Sequence, residues 1–78
     1  MDIPQRKFYI GLKQSLKAIK NNEVKKVILA KDADGNVTDQ VSSLCQEYQI
    51  SLEYGEDRRI LGKNYGVDIG TAVVAILK

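Results

Sequence analysis

The chain has 78 residues, of which 44% are hydrophobic and 28% charged, a composition that predicts one globular domain over residues 1–78. It contains no histidine and one cysteine, which excludes Ser-His-Asp and Cys-His catalytic sites, histidine metal sites and disulfide frameworks. We therefore expect a protein that binds a partner at its surface, without enzymatic activity, metal or cofactor.

The location of the protein is predicted from the same composition. The longest apolar run, residues 72–77, is far shorter than the roughly 18 residues that a membrane-spanning helix needs. A lone cysteine fits a reducing compartment, for which the cytoplasm is the default. We expect a cytoplasmic protein that does not interact with membranes.

The first part of the chain predicts two strands around a helix. Residues 8–10 are aromatic and β-branched, as in a short strand, and Gly11 then opens an amphipathic helix that ends near residues 21–22. Residues 24–30 end in four apolar side chains, which is typical of a central strand covered on both faces. The apolar face of the helix consists of Leu12, Leu16 and Ile19.

A second helix and a third strand follow. Residues 32–36 have the composition of a turn, and Asn36 is a suitable N-cap for a helix that runs to about Tyr48. Its apolar face includes Cys45, which we interpret as a small buried hydrophobic residue rather than a reactive thiol. Polar and apolar residues alternate over residues 50–54, the pattern of a strand.

The last part of the chain predicts a short helix and a buried strand. The helix runs from Arg58 to about Asn64, and Gly66 suits its C-terminal cap. Residues 71–77 are β-branched and apolar, as in a strand buried on both faces. The order βαβαβαβ predicts an α/β fold, a three-layer α/β/α sandwich with a small mixed or largely parallel sheet.

Charge is segregated along the chain. Residues 1–31 carry a net charge of +6, residues 32–57 carry −7, and residues 58–78 carry +3. If the first and last segments lie side by side, they form a basic face that favours an anionic partner. The acidic middle segment supports an alternative, a protein-interaction or scaffold module that binds a basic partner.

One motif resembles a metal site but lacks essential positions. Residues 32–36 imitate the start of a calcium-binding loop, yet its sixth position is Val37 instead of glycine and its twelfth is Ser43 instead of glutamate. A structural turn is the better interpretation.

Basic residues and a glycine mark a candidate binding surface. One face of the first helix, opposite its apolar face, carries Lys13, Lys17 and Lys20. Gln14, at the edge of that face, can donate to and accept from a base edge. Gly11 has no side chain, so the free N–H groups of the helix start can approach a phosphate. Lys31 and the basic residues of segment 58–63 adjoin strand ends, where ligands of α/β sheets collect.

Several blocks of the sequence resemble the kink-turn RNA-binding ribosomal protein family, the superfamily of the large-subunit proteins L-seven-Ae and L-thirty-e. The blocks are residues 8–19 (FYIGLKQSLKAI), 27–34 (VILAKDAD), 61–63 (LGK) and 66–70 (GVDIG). The length of the chain and the strings GLKQ and KDAD are most similar to the short bacterial members called YbxF-like.

The resemblance implies a function. Members of this family bind kink-turns, in which two RNA helices are joined by an internal loop with tandem sheared G·A pairs, and hold them bent. The resemblance therefore implies a non-enzymatic, ribosome-associated monomer that binds a kink-turn in ribosomal RNA or in a riboswitch-like RNA.

The resemblance also implies a role for particular residues. Those that would face the G·A pairs are Gly11, Lys13, Gln14 and Lys17, flanked by Lys31 and Asp32. Those that would contact the RNA backbone are Arg59 and Lys63. Those that would cover an extruded loop nucleotide are Val67, Asp68 and Ile69.

The sequence departs from the family pattern in three places, one of them a pair of residues. Lys13 and Gln14 stand where many archaeal members have Asn-Glu, so an acidic group that accepts from guanine is missing. Gly35 replaces a usual proline and loosens its turn. Tyr65 replaces a small residue, and core packing and stacking on the extruded nucleotide are both open to it.

Overall fold

The computed structural model describes residues 8–78 as four strands and three helices in alternation. The elements are β1 (Phe8–Ile10), α1 (Leu12–Lys20), β2 (Val24–Ala30), α2 (Gly35–Glu47), β3 (Ser51–Gly55), α3 (Arg58–Asn64) and β4 (Val73–Leu77). The predicted order βαβαβαβ is confirmed. Three boundaries differ. Helix α2 begins at Gly35 with Asp34, not Asn36, in the N-cap position, β3 covers residues 51–55 rather than 50–54, and β4 begins at Val73 rather than at residue 71.

The strands form one mixed sheet in the order β1-β4-β2-β3. Strand β4 lies antiparallel to both β1 and β2, and only β2 and β3 are parallel. The sheet is therefore mixed rather than largely parallel. The reason is that the segment after α3 returns the chain to the edge where β2 ends, so that Val73 pairs with Leu29 and β4 runs back across the sheet.

The helices cover both faces of the sheet, which confirms the predicted three layers. On one face, α1 and α2 pack Ile19, Val41 and Cys45 against alternate residues of β2 and β4. On the other face, Leu61 of α3 packs against Ala30 and Val74, and Tyr65 meets Phe8 edge-on with 4.8 Å between ring centroids. Each fully buried Val, Leu or Ile stabilises the fold by about 1.5–3 kcal/mol.

Two expectations about buried residues are confirmed by the same packing. Strand β4 is covered on both faces, since Val73, Val74 and Ala75 are fully buried. Cys45 is also buried, and desolvation raises the pKa of its thiol, which keeps it protonated at neutral pH.

All three helices end in the same hydrogen-bonding pattern, the Schellman motif. In each, a residue with positive φ follows the helix, and the next backbone N–H donates to the carbonyl five residues earlier. The donor and acceptor pairs are Glu23 and Ala18, Ile50 and Cys45, and Val67 and Gly62. The positive-φ residues are Asn22, Gln49 and Gly66, which confirms the ends predicted near residues 21–22 and at Gly66.

None of the helices within residues 8–78 is long and apolar enough to cross a membrane.

Candidate nucleic-acid interface

One edge of the sheet gathers the starts of all three helices. Strands β1, β2 and β3 end there and β4 begins there, as the pairing of Ile10 with Val74 and of Ala30 with Gly55 shows. Helices α1, α2 and α3 each begin directly after one of the first three strands. We call this the C-terminal edge, and it is where the sequence places the candidate binding residues.

Helix α1 begins at this edge without a side-chain cap. Gly11, in its N-cap position, has φ 104° and ψ 158°, a conformation that is essentially restricted to glycine. Its N–H donates to the carbonyl oxygen of Val73 at 3.0 Å, which fixes the turn between β1 and α1. A Cβ atom built on Gly11 has no protein atom within 4 Å, and the first turn of α1 contains no acidic residue. The start of α1 is therefore open to an anionic ligand.

The polar residues predicted on α1 are exposed but do not share one hollow. Gln14 and Lys17 line a small depression of about 100 Å³ together with Tyr9 and Asn21. Lys13 is exposed outside this depression, on the first turn after Gly11. The α1 contribution is thus an exposed polar surface that runs from Gly11 towards the middle of the helix.

The second part of the candidate interface is a groove between α3 and the segment that follows it. It consists of two adjoining cavities, of about 440 and 380 Å³, that share Asp57 and Arg59 in their walls. We call them together the α3 groove. Ile69 lies at its rim with 82% of its surface exposed. The predicted site residues that line it are Asp32, Arg59, Lys63, Val67, Asp68 and Ile69.

Two glycines bring the walls of the α3 groove together. A Cβ atom on Gly62 would lie 2.6 Å from the Cα of Gly70, so only glycine allows this approach of α3 to the following segment. Gly70 itself has φ 63°. The N–H of Thr71 donates to the carbonyl oxygen of Arg58 at 3.1 Å and ties the same segment to the start of α3. The groove is therefore a preformed feature of the fold.

Asp32 contacts its own chain at this edge. Its Oδ1 accepts a hydrogen bond from the backbone N–H of Arg58 at 2.9 Å, and its Oδ2 lies 3.6 Å from the Nε of Arg58. Lys31, directly before it, is exposed and donates its backbone N–H to the carbonyl oxygen of Glu56 at 3.1 Å. Asp57 caps α3 by accepting from the N–H of Ile60 at 3.0 Å.

Arg58 belongs to the basic segment 58–63 of the sequence, but the resemblance to the family assigns it no RNA contact. It lines the larger cavity of the α3 groove and touches Asp32, which is 26 positions earlier in the chain. Its place beside Arg59 in a basic pair is the only signal of its role in the sequence.

The two parts of the candidate interface meet at the start of β4. Ala72 accepts a backbone hydrogen bond from Ala30 at 2.8 Å, and Val73 accepts the bond from Gly11. The start of β4 therefore lies between the start of α1 and the end of β2, and segment 66–71 before it is tied to α3. Within residues 8–78, the predicted cations have no salt bridge, so their charges are available to a ligand; they are Lys13, Lys17, Lys31, Arg59 and Lys63.

This edge belongs to a fold and a sequence pattern that are shared with known proteins. The family model described as "Ribosomal protein L7Ae/L30e/S12e/Gadd45 family" matches residues 4–78. The chain belongs to this family. Its membership confirms the resemblance seen in the sequence, and it confirms the prediction that the chain is not an enzyme.

Bacterial relatives match over most of their own length. An RNA-binding protein of Halalkalibacterium halodurans is 42% identical over 69 residues, which cover 88% of this chain and 84% of the relative. An RNA-binding protein of Bacillus pumilus is 41% identical over 68 residues, covering 87% and 83%. One of Staphylococcus aureus is 31% identical over 71 residues, covering 91% and 84%.

Solved structures share the fold. A protein of unknown function from Bacillus halodurans has a TM-score of 0.88 at 29% identity and covers 94% of this chain and 73% of its own. The 15.5 kD RNA-binding protein of Giardia lamblia has a TM-score of 0.84 at 24% identity, covering 91% and 60%, which shows similarity of the fold alone.

Proposed function

We propose that this protein binds RNA, that it recognises and stabilises kink-turns, and that it does so in association with the ribosome. The observation that carries the proposal is the C-terminal edge, which combines an open helix start with a preformed groove whose walls carry Arg58, Arg59 and Lys63 beside three aspartates. Membership in the ribosomal protein family and relatives that are named RNA-binding proteins support it. The kink-turn is the RNA ligand that the resemblance of the sequence to the family implies.

The α1 side reads the G·A pairs in this proposal. Gly11 leaves the helix start free of a side chain, so a sugar-phosphate backbone can approach its N–H groups. Gln14 hydrogen-bonds the edge of a guanine, and Lys13 and Lys17 neutralise the phosphates beside it. Lys31, exposed at the end of β2, supplies a further charge at the flank.

The α3 groove holds the internal loop. Arg59 and Lys63 bind phosphates of the RNA backbone beside this loop, which a plain duplex also carries, and Val67 and Ile69 present apolar surface to an extruded base, with Asp68 between them. RNA loops are recognised in this way, because an unstacked base packs on apolar side chains while cations bind the phosphates. Tyr65 is half-buried against Phe8, so we assign it to the core rather than to stacking.

A titration of two RNAs tests the proposal. A labelled kink-turn and a matched duplex without the internal loop are titrated with the protein near 0.15 M salt. We expect binding to the kink-turn to be at least about tenfold tighter, equal to about 1.4 kcal/mol. Equal, weak binding to both RNAs would contradict kink-turn recognition and favour the alternative in which the acidic segment binds a protein.

A pair of variants separates base recognition from phosphate binding. Gln14→Ala should cost about 1–3 kcal/mol on the kink-turn and much less on the duplex. Lys63→Ala is the matched control, since loss of a phosphate contact weakens binding to both RNAs similarly. Equal losses from Gln14→Ala on the two RNAs would argue against reading of a base edge by this residue.

Association with the ribosome has its own test. The protein should sediment with ribosomal subunits at low salt and dissociate as salt rises, because phosphate contacts weaken with ionic strength. The C-terminal-edge variant Gln14→Ala should reduce this co-sedimentation. Sedimentation that is unchanged by both salt and the variant would place any ribosome contact elsewhere on the protein.

A further inference from the structure

Arg58 joins three segments of the C-terminal edge. Its backbone N–H donates to Oδ1 of Asp32, at the end of β2, and its carbonyl oxygen accepts from the N–H of Thr71, before β4. A Cβ atom on Gly70 would lie 3.0 Å from that same carbonyl oxygen, so the segment after α3 packs directly on Arg58. The position of Arg58 therefore fixes how the walls of the α3 groove meet.

The carboxylate of Asp32 directs both of its oxygens to Arg58. Oδ1 holds the first N–H of α3 at 2.9 Å, and Oδ2 lies 3.6 Å from Nε of the guanidinium. A guanidinium has five N–H donors, of which only one is on Nε. The four donors on the terminal nitrogens have no salt-bridge partner within residues 8–78. Asp32 thus restricts the side chain and leaves its bidentate end available.

We propose that Arg58 binds an RNA phosphate in the α3 groove, and that Asp32 is a positioning residue that acts through Arg58 without contacting RNA. The inference deepens the proposed function and rests on it. It changes the role that the sequence implies for Asp32, which is to flank the RNA directly.

The charges at this site favour that assignment. A carboxylate beside an RNA phosphate is repelled, whereas an arginine presents paired donors that match a phosphate. Arg58 and Arg59 both line the larger cavity, and the carboxylate of Asp57 in the same lining is engaged in capping α3, so the two guanidinium groups are the cations available to a phosphate there. Because Asp32 is bound to one of them, its charge is partly compensated before any RNA binds.

A double-mutant cycle tests the proposal with the full chain and the labelled kink-turn RNA. Arg58→Gln should weaken binding about tenfold, and it should reduce the slope of log K against log salt by about 0.7–0.9, the value of one phosphate contact. Asp32→Asn keeps one oxygen to accept the N–H of Arg58, but it removes the negative charge that lies 3.6 Å from Nε of the guanidinium. In the Asp32→Asn background, Arg58→Gln should therefore cost clearly less than tenfold.

Arg59→Gln is the matched control for this coupling. Arg59 lines the same groove and has no salt bridge with Asp32. Its effect should be the same in the wild-type and Asp32→Asn backgrounds. If the effects of Asp32→Asn and Arg58→Gln multiply, Asp32 contacts RNA independently and the positioning role is wrong. If Arg58→Gln leaves affinity and salt slope unchanged, Arg58 does not bind phosphate.

Two further measurements keep the outcomes separate. Thermal unfolding of each variant identifies any loss of binding that comes from a damaged fold, and Asp32→Ala, which removes both contacts, should lower the melting temperature more than Asp32→Asn. The kink-turn and duplex titrations of the wild-type chain decide the proposed function. If the two RNAs bind equally, kink-turn recognition fails, while the coupling between positions 32 and 58 is still measured on phosphates that both RNAs carry.

Discussion

At the C-terminal edge, where α1 begins, Gly11 offers no side-chain cap and exposes the helix start to solvent. At the opposite edge, where α1 and α2 end, the chain closes both helices with its own backbone. Glu23 and Ile50 donate to carbonyls of the last turns, even though this requires positive φ at Asn22 and Gln49, which are not glycines. The start of α1 leaves its backbone N–H groups to a ligand, whereas the ends of α1 and α2 have their carbonyl groups satisfied by the chain itself.

The difference also separates two uses of backbone strain. At the opposite edge, the strain of a positive φ is offset locally, because each Schellman motif provides hydrogen bonds to carbonyl groups at the end of its helix. At the C-terminal edge, the conformation of Gly11 positions an open helix start beside the first residue of β4, and Gly62 and Gly70 bring the groove walls together. Substitutions at the two edges should therefore affect stability and RNA binding in different proportions.

The largest effect is expected from Gly62→Ala. The new Cβ would lie 2.6 Å from the Cα of Gly70, a backbone atom that cannot turn away, so α3 and the following segment must separate. We expect a loss of about 2–3 kcal/mol in the free energy of unfolding, measured in urea, together with a loss of kink-turn affinity.

Gly35→Ala is the control for that substitution. Gly35 is the first residue of α2, and a Cβ built on it has nothing within 4 Å. Alanine should leave stability unchanged or raise it by up to about 1 kcal/mol. Equal stability of the Gly62→Ala and Gly35→Ala proteins would mean that the close approach of α3 to Gly70 is not needed.

Gly11→Ala is expected to have the next largest effect. The substitution forces an L-residue to φ 104°, which costs about 1–3 kcal/mol of stability, although the Cβ itself touches no protein atom. Chemical synthesis of the chain with D-alanine at position 11 is the control, since a D-residue accepts positive φ. The D-residue relieves the strain at φ 104°, so stability should recover relative to Gly11→Ala, and any remaining loss of kink-turn affinity then measures how closely RNA approaches the D-methyl group. A D-alanine protein with full affinity would show that the RNA does not come near this atom.

The features that the sequence predicts correctly are those that depend on neighbouring residues in the chain. The elements of the fold follow from local patterns, such as the apolar face of α1 and the apolar end of β2. The helix ends near residues 21–22 and at Gly66 also follow from local chemistry. The N-cap of α2 was wrong by two residues, because Asp34 and Asn36 have similar capping propensities and only the path of the turn separates them.

Contacts between distant segments are what local patterns leave out. The contacts of Asp32 with Arg58 and of Gly62 with Gly70 depend on the path of the chain between the strands of the sheet. The spacing of residues along the sequence does not predict that path. The antiparallel placement of β4 has the same origin. The resemblance to a family identifies positions for RNA contact, and these stay predictions, but it does not separate a residue that touches RNA from one that holds a neighbour.

Removal of one lysine charge at each edge tests whether RNA binds only at the C-terminal edge. Lys13→Gln, on the first turn of α1, should reduce the salt slope of kink-turn binding by about 0.7–0.9, because one phosphate contact is lost. Lys25→Gln removes the same charge from an exposed side chain near the start of β2, at the opposite edge, and should leave the slope unchanged. Equal reductions from both variants would mean that RNA binding is spread over the whole basic surface.

The smallest effect is expected from Gln49→Gly, at the opposite edge. Glycine relieves the left-handed conformation at φ 57° but increases the entropy of the unfolded chain, so the net gain in stability should be only about 0.5 kcal/mol. Asn22→Gly is the matched control, and its gain should be smaller still, because asparagine tolerates this conformation better than glutamine. Neither variant should change kink-turn affinity. A change in affinity from Gln49→Gly without a change in stability would show that the opposite edge also contributes to the RNA-binding surface.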